Sequence, residues 1–242
     1  MRIDIDQESV RHLATLVAGM GNPPWFKRGK RKIYNPTGFH WFFCSVLQKQ
    51  LTAQYGGGSN WAVTGKGVVP MALQHSNKRF VASTDVKSFF DSCRIEHVAE
   101  FFDAEDIETI KLCYIDGRLP HGYLTSSTLA DLSLYHFDIA MTRYATENDL
   151  SFTRYCDDIY ISGRRGAWKA LKFLSESLPS GIKTSEKKTK VMPAGTLHMV
   201  LGVNVDHKKG WTPMQRRYMH DNYKNSYTKY LLDRGKQIYA FQ

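Results

Sequence analysis

The stretch that decides the fold reads Phe152-Thr-Arg-Tyr-Cys-Asp-Asp-Ile-Tyr-Ile-Ser162. Its two apolar halves predict strands over residues 151–155 and 159–162, and the segment between them is typical of a tight turn. Asp157 and Asp158 therefore stand together at the tip of a predicted β-hairpin. Because aspartate is common in turns, this pair taken alone is equally consistent with a solvated loop.

A third aspartate changes that interpretation. Residues 80–84 form a short apolar run that predicts a buried strand ending on Asp85. Carboxylates that end strands from separate parts of the chain can meet at one edge of a sheet. Mg²⁺ prefers such hard oxygen ligands, and two ions about 4 Å apart can carry out phosphoryl transfer. The three aspartates therefore predict a magnesium-dependent site.

The periodicity outside this region predicts short strands interleaved with helices, which is an α+β pattern. A further strand is predicted over residues 197–205. The tail from Pro213 is basic and tyrosine-rich, which predicts a last helix. The other predicted helices cover residues 7–20, 38–55, 68–77, 95–102, 107–114, 125–146 and 167–178.

The composition narrows the class of partner. The 242 residues include 33 Lys and Arg against 23 Asp and Glu, a net charge of +10 with a pI of about 9.4. A fold does not need that surplus, so it predicts a polyanionic partner such as nucleic acid. No apolar run approaches the roughly 20 residues of a membrane span, and residues 1–8 lack the apolar core of a secretory signal. The four cysteines are far apart, which predicts a reducing cytoplasm rather than disulfides or zinc.

Six segments, in order along the chain, resemble reverse transcriptase motifs. They are similar to the fingers pattern (Arg31-Lys-Ile-Tyr-Asn-Pro36), motif A (Asp85-Val-Lys-Ser-Phe-Phe-Asp-Ser92), motif B (Leu119-Pro-His-Gly-Tyr-Leu-Thr-Ser-Ser127), motif C (Tyr155-Cys-Asp-Asp158), motif D (Lys187-Lys-Thr189) and motif E (Val200-Leu-Gly-Val-Asn204). The stretch from Arg154 to Gly163 is most similar to the bacterial retron and group II intron type. Two positions depart from the family: motif B has His121 where Gln is usual and Ser127 where Pro is usual.

The resemblance implies a right-hand polymerase with a small antiparallel palm sheet flanked by helices. Residues 1–84 would be mainly fingers, 85–205 the palm with motifs A to E, and 206–242 a short basic thumb. The tyrosines of that last segment either pack in a core or help to grip a template–primer duplex.

The resemblance also implies roles for particular residues. Asp85, Asp157, Asp158 and Lys188 would be catalytic, and Asp85, Val86, Asp157 and Asp158 would hold Mg²⁺. The incoming nucleotide would contact Arg31, Phe90, His121 and Gly122, with Phe90 as the steric gate against a ribose 2′-OH. Nucleic acid would contact Lys30, Lys32, Arg216 and Arg217. Two of these sites have plain alternatives, because Phe90 could be ordinary core and Lys188 has Lys183, Lys187 and Lys190 as competitors.

The expected activity is RNA-directed DNA synthesis from dNTPs, on a template and primer that belong to a cognate structured non-coding RNA. The family also implies a place in anti-phage defence with a separate effector protein. Two alternatives remain open from the residues. One is a polymerase-like RNA-binding module without catalysis, against which the three intact aspartates argue. The other is template-independent or protein-primed DNA synthesis.

Overall fold

The computed structural model describes residues 1–56, 68–194, 196 and 198–205. Over these ranges the chain is α+β. The helices are α1 (Gln7–Ala18), α2 (Gly38–Tyr55), α3 (Val68–Leu73), α4 (Phe89–Ser92), α5 (Ala104–Lys111), α6 (Ser126–Leu132), α7 (Tyr135–Glu147) and α8 (Ala167–Ser177). The strands are β1 (Trp25–Arg28), β2 (Arg31–Tyr34), β3 (Phe80–Asp85), β4 (Ser151–Tyr155), β5 (Asp158–Gly163), β6 (Lys190–Pro193), β7 (Met199–Val200) and β8 (Val203–Asn204).

The central sheet has the strand order β4-β5-β3-β6, and each neighbouring pair is antiparallel. Helices α7 and α8 pack against one face. The other face is covered by α3 and the β7–β8 hairpin, through a small apolar cluster that includes Met71, Val81, Tyr160 and Val200. Because β3 lies inside the sheet between two covered faces, all six of its residues are buried.

The larger hydrophobic core lies between the helices and the sheet, and α2 shows why this part folds. Phe43, Leu47 and Leu51 recur every four residues along one face of α2 and are at most 1% exposed. Burying a side chain of this size contributes about 1.5–3 kcal/mol. The helix ends where Gly56 takes a left-handed conformation and its N–H donates to the carbonyl of Thr52.

The strands β1 and β2 form a hairpin whose register runs from Trp25 opposite Tyr34 to Arg28 opposite Arg31. Its base is closed by a 2.8 Å hydrogen bond from the Asn35 N–H to the Pro24 carbonyl. Both strands are mostly exposed. The hairpin is held to the rest of the chain by a parallel bridge between Ile33 and His121.

The structure confirms the predicted α2, β3 and β4 and corrects several other elements. Residues 95–102 form two 3₁₀ turns (Ile95–His97 and Ala99–Phe101) instead of one helix. The predicted helix over 125–146 is two helices, broken at Ser133, whose hydroxyl donates to the carbonyl of Leu129. The predicted strand over 197–205 is the β7–β8 hairpin. The predicted C-terminal helix lies outside the described residues.

Among the residues that the structure describes, no helix is both long and apolar enough to cross a membrane.

Candidate active site

The predicted carboxylates meet at one edge of the central sheet. β3 ends on Asp85 and the antiparallel β5 begins on Asp158, so that these two residues are register partners. The next residue of motif A, Val86, donates its N–H to the carbonyl of Asp157 over 2.9 Å. Val86 also forms an isolated antiparallel bridge with Thr184.

Asp85 is the most enclosed of the three carboxylates, with 4% of its surface exposed. Its Oδ2 accepts a hydrogen bond and ion pair from Lys188, whose side chain is 67% exposed. Its Oδ1 is buried and has no hydrogen-bond partner in the described part of the chain. The hydrogen bond with Asp85, followed by the charge of that carboxylate, raises the pKa of Lys188. The lysine of motif D therefore contacts the aspartate of motif A directly.

The environment of Asp158 is unfavourable for a negative charge on its carboxyl group. Burial raises the pKa of Asp158 above its usual range, and the neighbouring Asp157 and Asp85 raise it further, while Lys188 acts in the opposite direction. Bound cations relieve repulsion of this kind, which makes the arrangement electrostatically suited to a metal ion.

A cleft of about 370 Å³ opens beside these carboxylates. It is lined by residues from β3, β5, β6 and the motif D segment: Ser83, Thr84, Asp85, Asp158, Tyr160, Lys187, Lys188 and Lys190. The lining combines two carboxylates with three lysines, which is the charge pattern expected of a site for a metal ion and phosphate groups together.

The residues fit a magnesium ion whose ligands come partly from the protein and partly from a substrate. The unpartnered Oδ1 of Asp85 and the repelled carboxylate of Asp158 are both hard oxygen donors. In the part of the chain that is described, no three His, Cys, Asp or Glu side chains form a preformed metal cage. Mg²⁺ does not require one, because it usually keeps several waters and takes further ligands from substrate phosphates.

The motif B segment contacts the β1–β2 hairpin, close to the residues predicted to bind the nucleotide. The Tyr34 N–H donates to the His121 carbonyl over 2.7 Å. Gly122 has φ = +106°, and a Cβ at this position would collide with the carbonyl of Tyr34. A residue other than glycine would therefore push the hairpin away from motif B.

Phe90 and Arg31 both lie close to His121. The rings of Phe90 and His121 have their centroids 5.0 Å apart. Burial lowers the pKa of His121, and the positive charge of Arg31 lowers it further, against the opposing effect of Asp91. Phe90 thus contacts His121, and Arg31 lies near enough for its charge to act on His121, although the three residues come from separate segments.

The predicted nucleic-acid contacts divide into two sets. Lys30 and Lys32 lie exposed on the β1–β2 hairpin, and the Lys32 ammonium lies 4.4 Å from the ring centroid of Trp25. Arg216 and Arg217 lie outside the described residues.

Arg154, which precedes motif C, was not among the predicted site residues. Its side chain is fully buried and donates to Asp131, Asp138 and the Cys156 carbonyl. A second buried polar group is His75, whose two ring nitrogens lie 2.7 Å from the hydroxyls of Ser162 and Thr153. The sequence did contain one indication of the role of Arg154. It is a charged residue at an inward-facing position of a predicted strand that ends at the Asp157 turn.

The comparisons with known proteins agree with the motifs. The "Retron Ec86 reverse transcriptase" of Escherichia coli is 25% identical over 178 residues, which are 70% of this chain and 55% of that protein. The chain is a homologue of the retron reverse transcriptases. Two more support this relationship. The "Retron Ec48 reverse transcriptase" of Escherichia coli is 30% identical over 103 residues, and the "Retron Se72 reverse transcriptase" of Salmonella heidelberg (strain 579083-10) is 25% identical over 138 residues.

The chain spans about half the length of the first of these retron reverse transcriptases, and 25% and 32% of the other two. The matches to the second and third cover 40% and 54% of this chain. No protein-family model matches the chain. The homology therefore names the group of proteins to which the chain is related.

Proposed function

We propose that this protein is an RNA-directed DNA polymerase, which adds deoxynucleotides to a 3′-hydroxyl on an RNA template. The observation that carries the proposal is the register pairing of Asp85 with Asp158, with Asp157 tied to Val86 beside them. This pairing joins the motif A and motif C carboxylates at the mouth of a lysine-lined cleft. The homology to retron reverse transcriptases supports the same activity.

Asp85, Asp157, Asp158 and the Val86 carbonyl would hold Mg²⁺. The metal would activate the attacking hydroxyl and stabilise the leaving oxygen of a phosphoryl transfer. Lys188 would hold a phosphate of the substrate or donate a proton to the pyrophosphate that leaves. Its largely exposed side chain, which contacts Asp85, supports this role, since a flexible lysine can move from a carboxylate to a phosphate.

The incoming dNTP would lie against Arg31, Phe90, His121 and Gly122. Arg31 is exposed and would supply a positive charge for the triphosphate. The Phe90 ring packs beside His121 and would face the sugar as a steric gate. His121 occupies the position where the family usually has Gln. An imidazole there keeps a hydrogen-bonding group near the nucleotide and adds an aromatic surface against Phe90.

The template and primer would be bound by positive charge in the segments that precede and follow the palm in sequence. Residues 9–84 contain ten Lys and Arg and no Asp or Glu. Lys30 and Lys32 lie in this segment, so no acidic neighbour in sequence offsets their charge. Arg216 and Arg217 would add charge from the C-terminal segment. Each such phosphate contact releases counterions and strengthens binding in a salt-dependent way.

These roles correspond to a right-hand polymerase in which residues 1–84 are mainly fingers, 85–205 the palm and 206–242 a short thumb. The RNA would be a structured non-coding RNA, as the retron relationship suggests, and the enzyme would serve anti-phage defence with a separate effector protein. Both the RNA and the defence role follow from the family resemblance.

The test is primer extension by the purified protein on poly(rA)–oligo(dT) with dTTP and Mg²⁺. Template-dependent extension that stops on addition of EDTA supports the proposal. Binding to the RNA without extension supports a polymerase-like RNA-binding module instead. Extension of oligo(dT) without poly(rA) supports template-independent synthesis. A parallel reaction with poly(dA) as template measures the preference for RNA.

A further inference from the structure

Arg154 has the largest of the fully buried side chains in the described part of the chain. It lies two residues before Cys156, a turn residue with positive φ. Its guanidinium reaches three elements. Nε and Nη2 form a two-point contact with the carboxylate of Asp138 on α7, and Nη2 also donates to Asp131 on α6. The remaining nitrogen, Nη1, donates to the Cys156 carbonyl over 2.9 Å.

The contact with Cys156 fixes one of the two peptide groups that flank Asp157. The Cys156 carbonyl belongs to the peptide group before Asp157, and Arg154 holds it. The Asp157 carbonyl belongs to the peptide group after it, and the Val86 N–H holds that one. Because each peptide group is planar, fixing both leaves the backbone of Asp157 little freedom. Cys156 itself has φ = +53°, which is unfavourable for a residue with a Cβ and needs such support.

Packing alone does not require this arrangement. Arg154 and Asp131 have fully buried side chains, and that of Asp138 is 3% exposed. Buried ionic groups are frequently no more stabilising than apolar side chains of similar volume. An apolar side chain, however, has no N–H to donate to the Cys156 carbonyl. Lysine has a donor but lacks the planar fork that contacts a carboxylate at two points and a carbonyl at a third.

We infer that Arg154 is a positioning residue of the candidate active site, which acts through the Cys156–Asp157 peptide group to set the orientation of the Asp157 carboxylate. The inference rests on the proposed polymerase function. It also connects motif B to motif C, because Asp131 lies on α6, the helix that begins at Ser126 within motif B. The position of the metal-binding turn thereby depends on the helix next to the nucleotide site.

The experiment compares four variants of the full chain in primer extension on poly(rA)–oligo(dT). Arg154→Met removes the donor, and Arg154→Lys keeps the charge with one donor group. Asp138→Asn weakens the buried ion pairs but leaves Nη1 of Arg154 able to donate to Cys156. Arg143→Met, at a 75% exposed side chain of α7, is the surface control. All are measured well below their melting temperatures.

The expected result for Arg154→Met is a kcat lower by about 10-fold to 100-fold, as misplacement of a reacting group by about 1 Å produces. The half-saturating Mg²⁺ concentration should rise, while the KM for dTTP and the affinity for primer–template stay unchanged. Arg154→Lys should recover part of the kcat. Asp138→Asn should lower the melting temperature with a much smaller loss of kcat, and Arg143→Met should match the wild type.

A wild-type kcat in Arg154→Met would overturn the inference. It would also be overturned if Arg154→Met and Asp138→Asn lost kcat equally and in proportion to the decrease in their melting temperatures. If Arg154→Met does not fold, Arg154→Lys decides by the same comparison, and unchanged kcat and Mg²⁺ dependence in that variant contradict the inference. The two proposals fail separately, because a wild-type protein without extension contradicts the polymerase function itself.

Discussion

The rings of Phe90 and His121 face each other with centroids 5.0 Å apart and planes tilted by 39°. Phe90 belongs to motif A and His121 to motif B, so the contact joins two segments that are 31 positions apart in sequence. The ring of Phe90 is also 6.0 Å from that of Phe89, which is buried. Phe90 is thus held between a core residue and the residue that replaces the usual motif B glutamine.

This contact leads to a prediction about sugar selection. If the Phe90 ring excludes the ribose 2′-OH, Phe90→Ala should remove the steric clash and admit ribonucleotides. We expect the ratio of kcat/KM for dTTP to that for UTP to fall by about tenfold or more. Phe39→Ala, at a half-exposed aromatic residue of α2, is the control and should keep the wild-type ratio. A wild-type ratio in Phe90→Ala would mean that Phe90 is ordinary core.

The proposed thumb gives a prediction about salt dependence. Arg216→Gln with Arg217→Gln should weaken primer–template binding and make the log–log slope of affinity against salt shallower by up to about 1.8. The control changes another adjacent pair, Arg164 and Arg165, to Gln. These residues are exposed and follow β5, at the opposite end of that strand from Asp158.

Binding is measured by fluorescence anisotropy over a range of KCl concentrations, after circular dichroism has shown that both variants are folded. Equal slopes for the Arg216/Arg217 variant and the wild type would contradict a thumb that contacts phosphates. The tyrosine-rich tail would then have a packing role.

A buried histidine gives a prediction about pH. Burial, followed by the charge of Lys78, lowers the pKa of His75 from an ordinary value near 6.5 to about 3. Below pH 6.5 the unfolded chain therefore binds a proton that the folded chain does not bind until about pH 3. Stability must fall as the pH falls through this window, by up to about 1.4 kcal/mol per pH unit from this group.

Urea unfolding at pH 6.5, 5.5 and 4.5 measures this effect, with His75→Gln as the comparison. Glutamine retains hydrogen-bonding groups for Ser162 and Thr153 but does not titrate. The free energy of unfolding of the wild type should therefore decrease more steeply with falling pH than that of the variant. Parallel decreases would show that His75 is charged in the folded protein.

The sequence predicted the elements whose residues carry a clear periodicity. The face of α2 that contains Phe43, Leu47 and Leu51 shows the helical repeat, and the apolar run that ends on Asp85 is short enough to indicate a buried strand. The β1–β2 hairpin was not predicted, because half of the residues in its short strands are basic and the strands show no apolar alternation. Its partner, His121, lies almost 90 positions further along the chain, where local patterns carry no information about the contact.

The contacts within the site were predictable only in part. Asp85 and Asp158 are register partners of β3 and β5. Once these two strands are assumed to pair, this contact can be inferred from the positions at which they end and begin in the sequence. Neither the ion pair between Lys188 and Asp85 nor the buried contacts of Arg154 could be inferred in this way. Both depend on how segments far apart in sequence pack, and Lys188, although it matches motif D, has three lysine competitors until the fold is known.

The central claim is that the motif C carboxylates hold the metal for DNA synthesis while basic residues elsewhere hold the RNA. Changing Asp157 and Asp158 to Asn together removes the two negative charges that would hold the metal. The transition-state stabilisation should fall by several kcal/mol. Matched control changes are Asp116→Asn with Asp149→Asn, since both aspartates are exposed and have positive φ values that asparagine tolerates.

Primer extension on poly(rA)–oligo(dT) with Mg²⁺, measured beside RNA binding by anisotropy, tests this claim most directly. The account predicts that the Asp157/Asp158 variant loses extension and keeps its affinity for RNA, whereas the Asp116/Asp149 variant keeps both. Extension at the wild-type rate by the Asp157/Asp158 variant would contradict the assignment of the active site.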